Sequence, residues 1–335
     1  MVRAFAAREK RARLEAHEYE PGPMGPAEVE IAVSHCGLCH SDLHLVDDAW
    51  NRSVYPLVPG HEIVGTVVEC GPLVRELRPG QRVGVGWQRG ACLACDLCVA
   101  GAENLCPEQQ ATCLGHPGGL ADRVRVDGRF AFALPDALEA AQAAPLLCGG
   151  ITVYAPLRRW GVGPGSRVAV IGIGGLGHLA LLMARAFGCE VTAFSTTPGK
   201  RDEALAMGAH HFAASNDPRA IIAHANRFDL VLSTVHAHLD WTSTLRTLRP
   251  RGTLCLVGVP PGLLQIPASL LVTGERSITG SDIGNRATIR EMLRFCARQG
   301  IVPRVETLPM TEEGVNTAVE RLRRNEVRYR AVLAR

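Results

Sequence analysis

Apolar, β-branched residues recur in short runs through the first part of the chain, as in Glu28-Val29-Glu30-Ile31-Ala32-Val33 and Ile63-Val64-Gly65-Thr66-Val67-Val68. Gly and Pro interrupt these runs at Pro56, Pro59-Gly60, Pro79-Gly80 and Gly118-Gly119, which is the punctuation of strands joined by turns. To about Phe132 the pattern predicts an irregular β region. From about Pro145 strand and helix alternate: Arg167 to Ile171, a helical stretch Leu176 to Phe187, Val191 to Phe194, then Asp229 to Leu232 and Gly252 to Val257. Such alternation predicts a parallel, doubly wound sheet, so the fold class expected is α/β with a β domain attached. The final segment, from about Asn285, carries an amphipathic helix with Ile289, Met292, Leu293 and Cys296 on one face. It continues through the run Met310 to Leu322 to a closing strand, Arg330 to Ala334. The seam between the two textures falls near Cys148.

Composition narrows the class. A chain of 335 residues, 47% hydrophobic and 21% charged, is too long for one typical domain, and two are expected. The net charge of +3 is small, and the basic residues are scattered rather than gathered in a stripe, which argues against nucleic acid as a partner. No apolar run is expected to span a bilayer, and Met1-Val2-Arg3-Ala4-Phe5 lacks the apolar stretch of a signal peptide. The expected setting is cytoplasmic, without membrane partners. Twelve cysteines in such a chain favour metal binding over disulfides. All but two of the 36 basic residues are arginine, which singles out Lys10 and Lys200.

Gly172-Ile173-Gly174-Gly175-Leu176-Gly177 fits G-x-G-x-x-G between an apolar strand and an apolar helix. In that context the glycines permit a tight turn and let backbone N-H groups meet a pyrophosphate at the positive helix terminus. A site preferring NAD places an acidic residue at the end of the next strand. This chain has Ser195-Thr196-Thr197 there, followed by Lys200, which suits the 2′-phosphate of NADP(H). The competing reading is that Lys200 and Arg201 simply begin a solvated helix.

Cys92, Cys95, Cys98 and Cys106 are spaced closely enough on a turning loop to reach tetrahedral positions around one zinc. Four thiolates close the coordination shell, so such a site is structural. A second set is dispersed: Cys39-His40-Ser41-Asp42, Gly60-His61-Glu62 and Leu147-Cys148-Gly149. A lone Cys or His on an apolar element is more often core than ligand. Together they supply two thiolates and an imidazole, the ligands of a catalytic zinc with an open fourth position.

Several fragments occur in one order: Cys36-Gly37-Leu38-Cys39-His40-Ser41-Asp42-Leu43-His44, Tyr55-Pro56-Leu57-Val58-Pro59-Gly60-His61-Glu62, the four-cysteine lobe, Pro145 to Tyr154, Gly172 to His178, and Val327-Arg328-Tyr329-Arg330. In these the chain resembles the zinc-containing medium-chain alcohol dehydrogenases, most closely the cinnamyl alcohol dehydrogenase branch, over nearly its whole length. The resemblance implies a GroES-like catalytic domain over 1–148, a Rossmann NADP(H)-binding domain over 149–284, and a return to the catalytic domain over 285–335. It implies that Cys39, His61 and Cys148 hold the catalytic zinc, that Glu62 completes the shell or waits behind it, and that Asp42 orients His61. Cys36 matches a position that is not a ligand, although its spacing could compete with Cys39.

The resemblance further implies a proton path through Ser41, the cofactor ribose and His44, with His40 and Arg330 at the pyrophosphate. Thr152, Val257 and Val259 would then lie at the nicotinamide. Trp50, Leu57 and Trp87 resemble a substrate-pocket wall. The segment after Cys106 is shorter than in the plant members and lacks their aromatic residues. The function implied is reversible hydride transfer between NADP(H) and a primary alcohol or aldehyde, with two zinc ions per chain and a homodimer or homotetramer. A polyol dehydrogenase on the same fold is the alternative enzyme reading, and a non-catalytic binding or structural protein is the alternative from another class.

Overall fold

The computed structural model describes residues 1–335 and divides into two compact units, one of Met1–Ile151 with Ile283–Arg335, the other of Thr152–Asp282. In the first unit a seven-stranded sheet is built on the long strand Glu28–Leu38. That strand pairs antiparallel with Glu62–Cys70, with Arg123–Asp127 and with the closing strand Arg330–Ala334. Val29, Ile31 and Val33 sink into the core with Val83, Val85, Val124 and Val126, as the period-two alternation of a half-buried strand requires. Register then decides what meets at the strand's end, where Gly37 lies opposite Glu62 and Ala331 opposite Leu38.

The second unit is a six-stranded, wholly parallel sheet. Its spatial order is His211–Ala214, Glu190–Ser195, Arg167–Ile171, Phe228–Ser233, Leu248–Leu256, Ser277–Gly280, the 3-2-1-4-5-6 order of a doubly wound fold. Val168, Val170, Val191, Leu230 and Leu232 are almost fully buried, because strands covered by helices on both faces are apolar along both. Strand order reverses beside Arg167–Ile171, which marks the crevice where such sheets bind ligands.

One expectation is corrected. Ala140–Arg159 forms a 20-residue helical run, apolar and long enough to cross a membrane by length and composition. It includes Pro145 and Pro156 and a π turn at Leu146–Gly150, and most of it is buried, which is the character of a core helix.

Candidate functional site

In the first unit, the helix His40–Val46 starts where the long strand ends, with Cys39 as its N-cap. Asp42 stands at the third helical position and accepts from the Cys39 backbone N-H at 2.9 Å, which fixes the turn that presents the Cys39 thiol. The other oxygen of Asp42 accepts from the Gly60 N-H at 2.8 Å and faces His61 Nδ1 at 2.9 Å. His61 is fully buried, and with Nδ1 committed to Asp42 its Nε2 is directed at Cys148 Sγ, 3.2 Å away. Cys148 Sγ is 3.9 Å from Cys39 Sγ. The donor atoms of Cys39, His61, Glu62 and Cys148 all lie within 4.8 Å of one another. Zinc bonds of about 2.3 Å to sulfur and about 2.0 Å to nitrogen place ligands roughly 3.4–3.8 Å apart around a tetrahedron, and the observed 3.2 and 3.9 Å straddle that range closely enough for small side-chain shifts to close the set on zinc.

Electrostatics agree with a ligand cluster. The hydrogen bond from Cys148 drives the Cys39 thiol well below its ordinary range, with Arg330 and His61 adding to the effect. Burial opposes charge on His61, but Asp42 and Cys148 outweigh it and hold its pKa well above the ordinary value. Cys36 is fully buried and its thiol is pushed well up by that burial, which separates it from Cys39. Glu62 is buried and paired with Arg330, while its Oε2 has no hydrogen-bond partner. A Cβ at residue 37 would overlap that oxygen, so glycine is needed opposite the carboxylate. Arg330 is therefore held within this unit by Glu62, a partner that the sequence did not suggest.

The sequence also gave no sign of Cys113, whose Sγ lies 3.8 Å from Asp42 Oδ1. Ser41 Oγ is 3.8 Å from Cys39 Sγ, and His44 lies three positions further along the same helix. Trp87 stands edge-on to the His61 ring at 5.0 Å and to Trp50 at 6.1 Å, and Trp50 is tilted against His44. Leu57 is 3% exposed and packs in the core cluster of this unit, with its backbone paired to Ala7.

The second cluster is a separate lobe. Cys92 and Cys98 sulfurs are 3.9 Å apart, Cys95 and Cys106 3.9 Å, and Cys106 and Cys92 3.5 Å. These match the edge of about 3.8 Å expected for a tetrahedron of zinc–thiolate bonds. Backbone N-H groups of Ala94 and Cys95 bring the Cys92 thiol down to about 7, whereas burial and the neighbouring sulfurs raise Cys98 to about 12. Leu93 takes a left-handed φ of 57°, which turns the chain back on itself between the first two sulfurs.

In the second unit the glycine turn sits at the strand-order reversal. Gly172 has φ of 90°, and a Cβ at Gly177 would overlap the Gly172 carbonyl oxygen. A Cβ at Gly174 would meet nothing within 4 Å, leaving an open cradle before the helix Gly177–Ala186. Ser195 ends the next strand, and its Oγ accepts from the Thr197 N-H at 3.1 Å. Thr196 and Thr197 are exposed. Lys200 is not merely the start of a solvated helix, because its Nζ donates to the Ile173 carbonyl at 2.6 Å. Val257 is half-buried and Val259 exposed, so neither is core. Near the carboxyl ends of Arg167–Ile171 and Glu190–Ser195 lies a cavity lined by Ile171, Phe194, Ser215, Ile221, Leu239 and Thr247, which sequence patterning did not reveal because its lining comes from segments far apart in the chain.

Two thiolates and an imidazole in one unit and a glycine-turn dinucleotide fold in the other define a zinc-binding dehydrogenase. Residues 25–136 match the alcohol dehydrogenase GroES-like domain and residues 175–298 the zinc-binding dehydrogenase family, and the chain belongs to that family. It is 45% identical over 334 residues to an aldehyde reductase of Synechocystis sp., covering 100% of this chain and 99% of the relative. It superposes on a cinnamyl alcohol dehydrogenase of Sorghum bicolor with a TM-score of 0.95 at 38% identity, covering 99% of this chain and 97% of the other. A second neighbour, at a TM-score of 0.91 and 32% identity, is the Helicobacter pylori protein described as CAD complexed with NADP(H), with 99% and 97% covered. The chain is an alcohol dehydrogenase or aldehyde reductase of this family.

Proposed function

We propose that the protein interconverts a primary alcohol and its aldehyde with NADP(H), using one catalytic and one structural zinc per chain. The observation that carries this reading is the convergence of Cys39, His61 and Cys148 around a point their donor atoms can share. Cys39, His61 and Cys148 hold the catalytic ion, with Glu62 a ligand in waiting, and Cys92, Cys95, Cys98 and Cys106 hold the structural one. When bound, zinc would supply Lewis-acid polarisation of the substrate oxygen, and the nicotinamide would supply or accept hydride.

The chain's own residues do the rest. Asp42 fixes the tautomer of His61 so that Nε2 faces the metal position. Ser41 Oγ accepts the proton of the substrate hydroxyl as it releases its own hydroxyl proton towards His44, one turn along the same helix, and His44 exchanges that proton with solvent. Trp87 and Trp50 present aromatic surface suited to an apolar or aromatic aldehyde rather than a polyol. On the cofactor side, Gly172, Gly174, Gly175, Leu176 and Gly177 cradle the pyrophosphate, with His40 as a further contact. Ser195, Thr196, Thr197 and Lys200 meet the 2′-phosphate. Thr152, Val257 and Val259 receive the nicotinamide, and the cavity at Phe194 and Ser215 takes the adenine.

The edge strand Ser277–Gly280 leaves one side unpaired, and Val259, Leu263 and Val272 are strongly exposed in this unit, which supports a homodimer joined through it. Its setting in this reading is reducing and cytoplasmic, where the thiolates of the two ligand sets stay available to metal. Metal analysis and a cofactor comparison test the core of this reading. Two zinc ions per chain and faster aldehyde reduction with NADPH than with NADH are expected; a single zinc or a clear NADH preference would overturn the corresponding part.

A further inference from the structure

Cys113 belongs to none of the ligand sets above, yet it lies against the pair on which the catalytic site depends. It is 1% exposed, with Sγ 3.8 Å from Asp42 Oδ1 and 4.0 Å from His61 Nδ1. Its placement is rigid. The preceding residue, Thr112, is fully buried, donates its N-H to the Trp87 carbonyl at 2.8 Å and its hydroxyl to the Gly86 carbonyl at 2.5 Å. The same short segment therefore anchors the backbone of Trp87, which packs edge-on to His61, and delivers a thiol to His61 Nδ1 and its Asp42 partner.

Asp42, His61 and Cys113 have the composition of a third metal site, and their donor atoms lie within 4.8 Å of one another. The hydrogen bonds argue against an ion there. Asp42 Oδ2 is engaged by the Cys39 N-H, and Oδ1 by the Gly60 N-H and by His61. An ion would have to displace the imidazole N-H that sets the tautomer of a zinc ligand.

We infer that Cys113 is a positioning residue of the metal site, its S-H donating to Asp42 Oδ1 and so holding the carboxylate in the plane from which it orients His61. A carboxylate in a dry site is stabilised by each further donor, and a thiol contributes a weak one where a water cannot reach. The consequence falls on metal retention, since groups behind a ligand commonly change metal affinity by about 10–100-fold. This inference rests on the reading of Cys39, His61 and Cys148 as zinc ligands.

The test compares Cys113→Ala with Cys113→Ser in the zinc-loaded enzyme, because the two replacements have nearly equal volume and differ in the donor. The rate at which zinc leaves to a chelator is measured, together with the visible absorption of the cobalt-substituted protein. Cys113→Ala is expected to lose the catalytic zinc about tenfold faster than the parent and to shift the cobalt bands, and Cys113→Ser to recover a good part of both. Equal loss in the two variants means the residue only fills space, and unchanged loss in both means it does not act on the metal; either overturns the inference. So does a third metal equivalent that disappears with Cys113. The underlying ligand reading fails separately, if Cys39→Ser leaves the zinc content of the purified protein unchanged.

Discussion

Glu62 and Arg330 form an ion pair sealed inside the unit that carries the metal ligands, the carboxylate 0% and the arginine 4% exposed. The pair joins the start of the strand Glu62–Cys70 to the first residue of the closing strand, so the end of the chain braces a residue next to His61. Removing the cation would leave a buried charge whose second oxygen already has no partner. Arg330→Met is expected to destabilise the zinc-loaded protein by about 3 kcal/mol, and adding Glu62→Gln should restore much of that loss. Urea midpoints of the two single variants and the double variant measure the coupling. Additive effects would show that the pair contributes nothing of its own.

The glycine turn separates packing from ligand binding within one motif. At Gly177 a side chain has no room against the Gly172 carbonyl, whereas at Gly174 it meets open space. Gly177→Ala is therefore expected to cost about 1–3 kcal/mol of stability. Gly174→Ala should leave the melting temperature nearly unchanged and weaken NADPH binding about tenfold or more, because the added methyl occupies the space a pyrophosphate needs. Thermal unfolding and fluorescence titration with NADPH, run on both variants, distinguish the two positions. A Gly174→Ala protein that binds NADPH normally would place the pyrophosphate elsewhere.

These two cases also show what could be read from the chain and what could not. The glycine turn and the four-cysteine lobe are local: each is written in a few neighbouring residues whose spacing already fixes the geometry. The alternation of strand and helix was legible for the same reason. The Glu62–Arg330 pair is a product of strand pairing between distant segments, set by the register that puts Gly37 opposite Glu62 and Ala331 opposite Leu38, and the approach of Cys113 to Asp42 joins residues 71 positions apart. Nothing in the spacing of either partner announces the other. An apolar residue beside a motif, such as the buried Leu57, reads alike in sequence whether it lines a pocket or fills the core.

Lys200 is one of two lysines in the chain, and its ammonium already reaches the glycine turn through the Ile173 carbonyl. A 2′-phosphate near Ser195 and Thr197 would offer it a far stronger, charge-assisted partner. Lys200→Met is expected to lower kcat/KM for NADPH about tenfold, the equivalent of roughly 1.4 kcal/mol, while kcat/KM for NADH changes less than about twofold. Steady-state kinetics with both cofactors provide the check. Parallel loss with the two cofactors would assign Lys200 to the turn alone.

Acid stability has a definable source in the first unit. Burial by itself would raise the pKa of Glu30, but hydrogen bonds from Arg123 at 2.5 Å and Arg125 at 2.7 Å outweigh it and hold the carboxyl below its ordinary value. These two arginines reach it from the strand Arg123–Asp127, so the pair of bonds clips that strand to Glu28–Leu38. A group whose pKa is lower folded than unfolded stabilises the fold above its unfolded value, about 4.3, and that contribution is lost as pH falls through the folded value. Glu30→Gln should therefore be less stable than the parent at pH 7, with the gap narrowing steadily as the pH is lowered from about 5 towards 3. Urea midpoints collected across that range test it. Curves that stay parallel would mean that Glu30 titrates alike in the folded and unfolded chains.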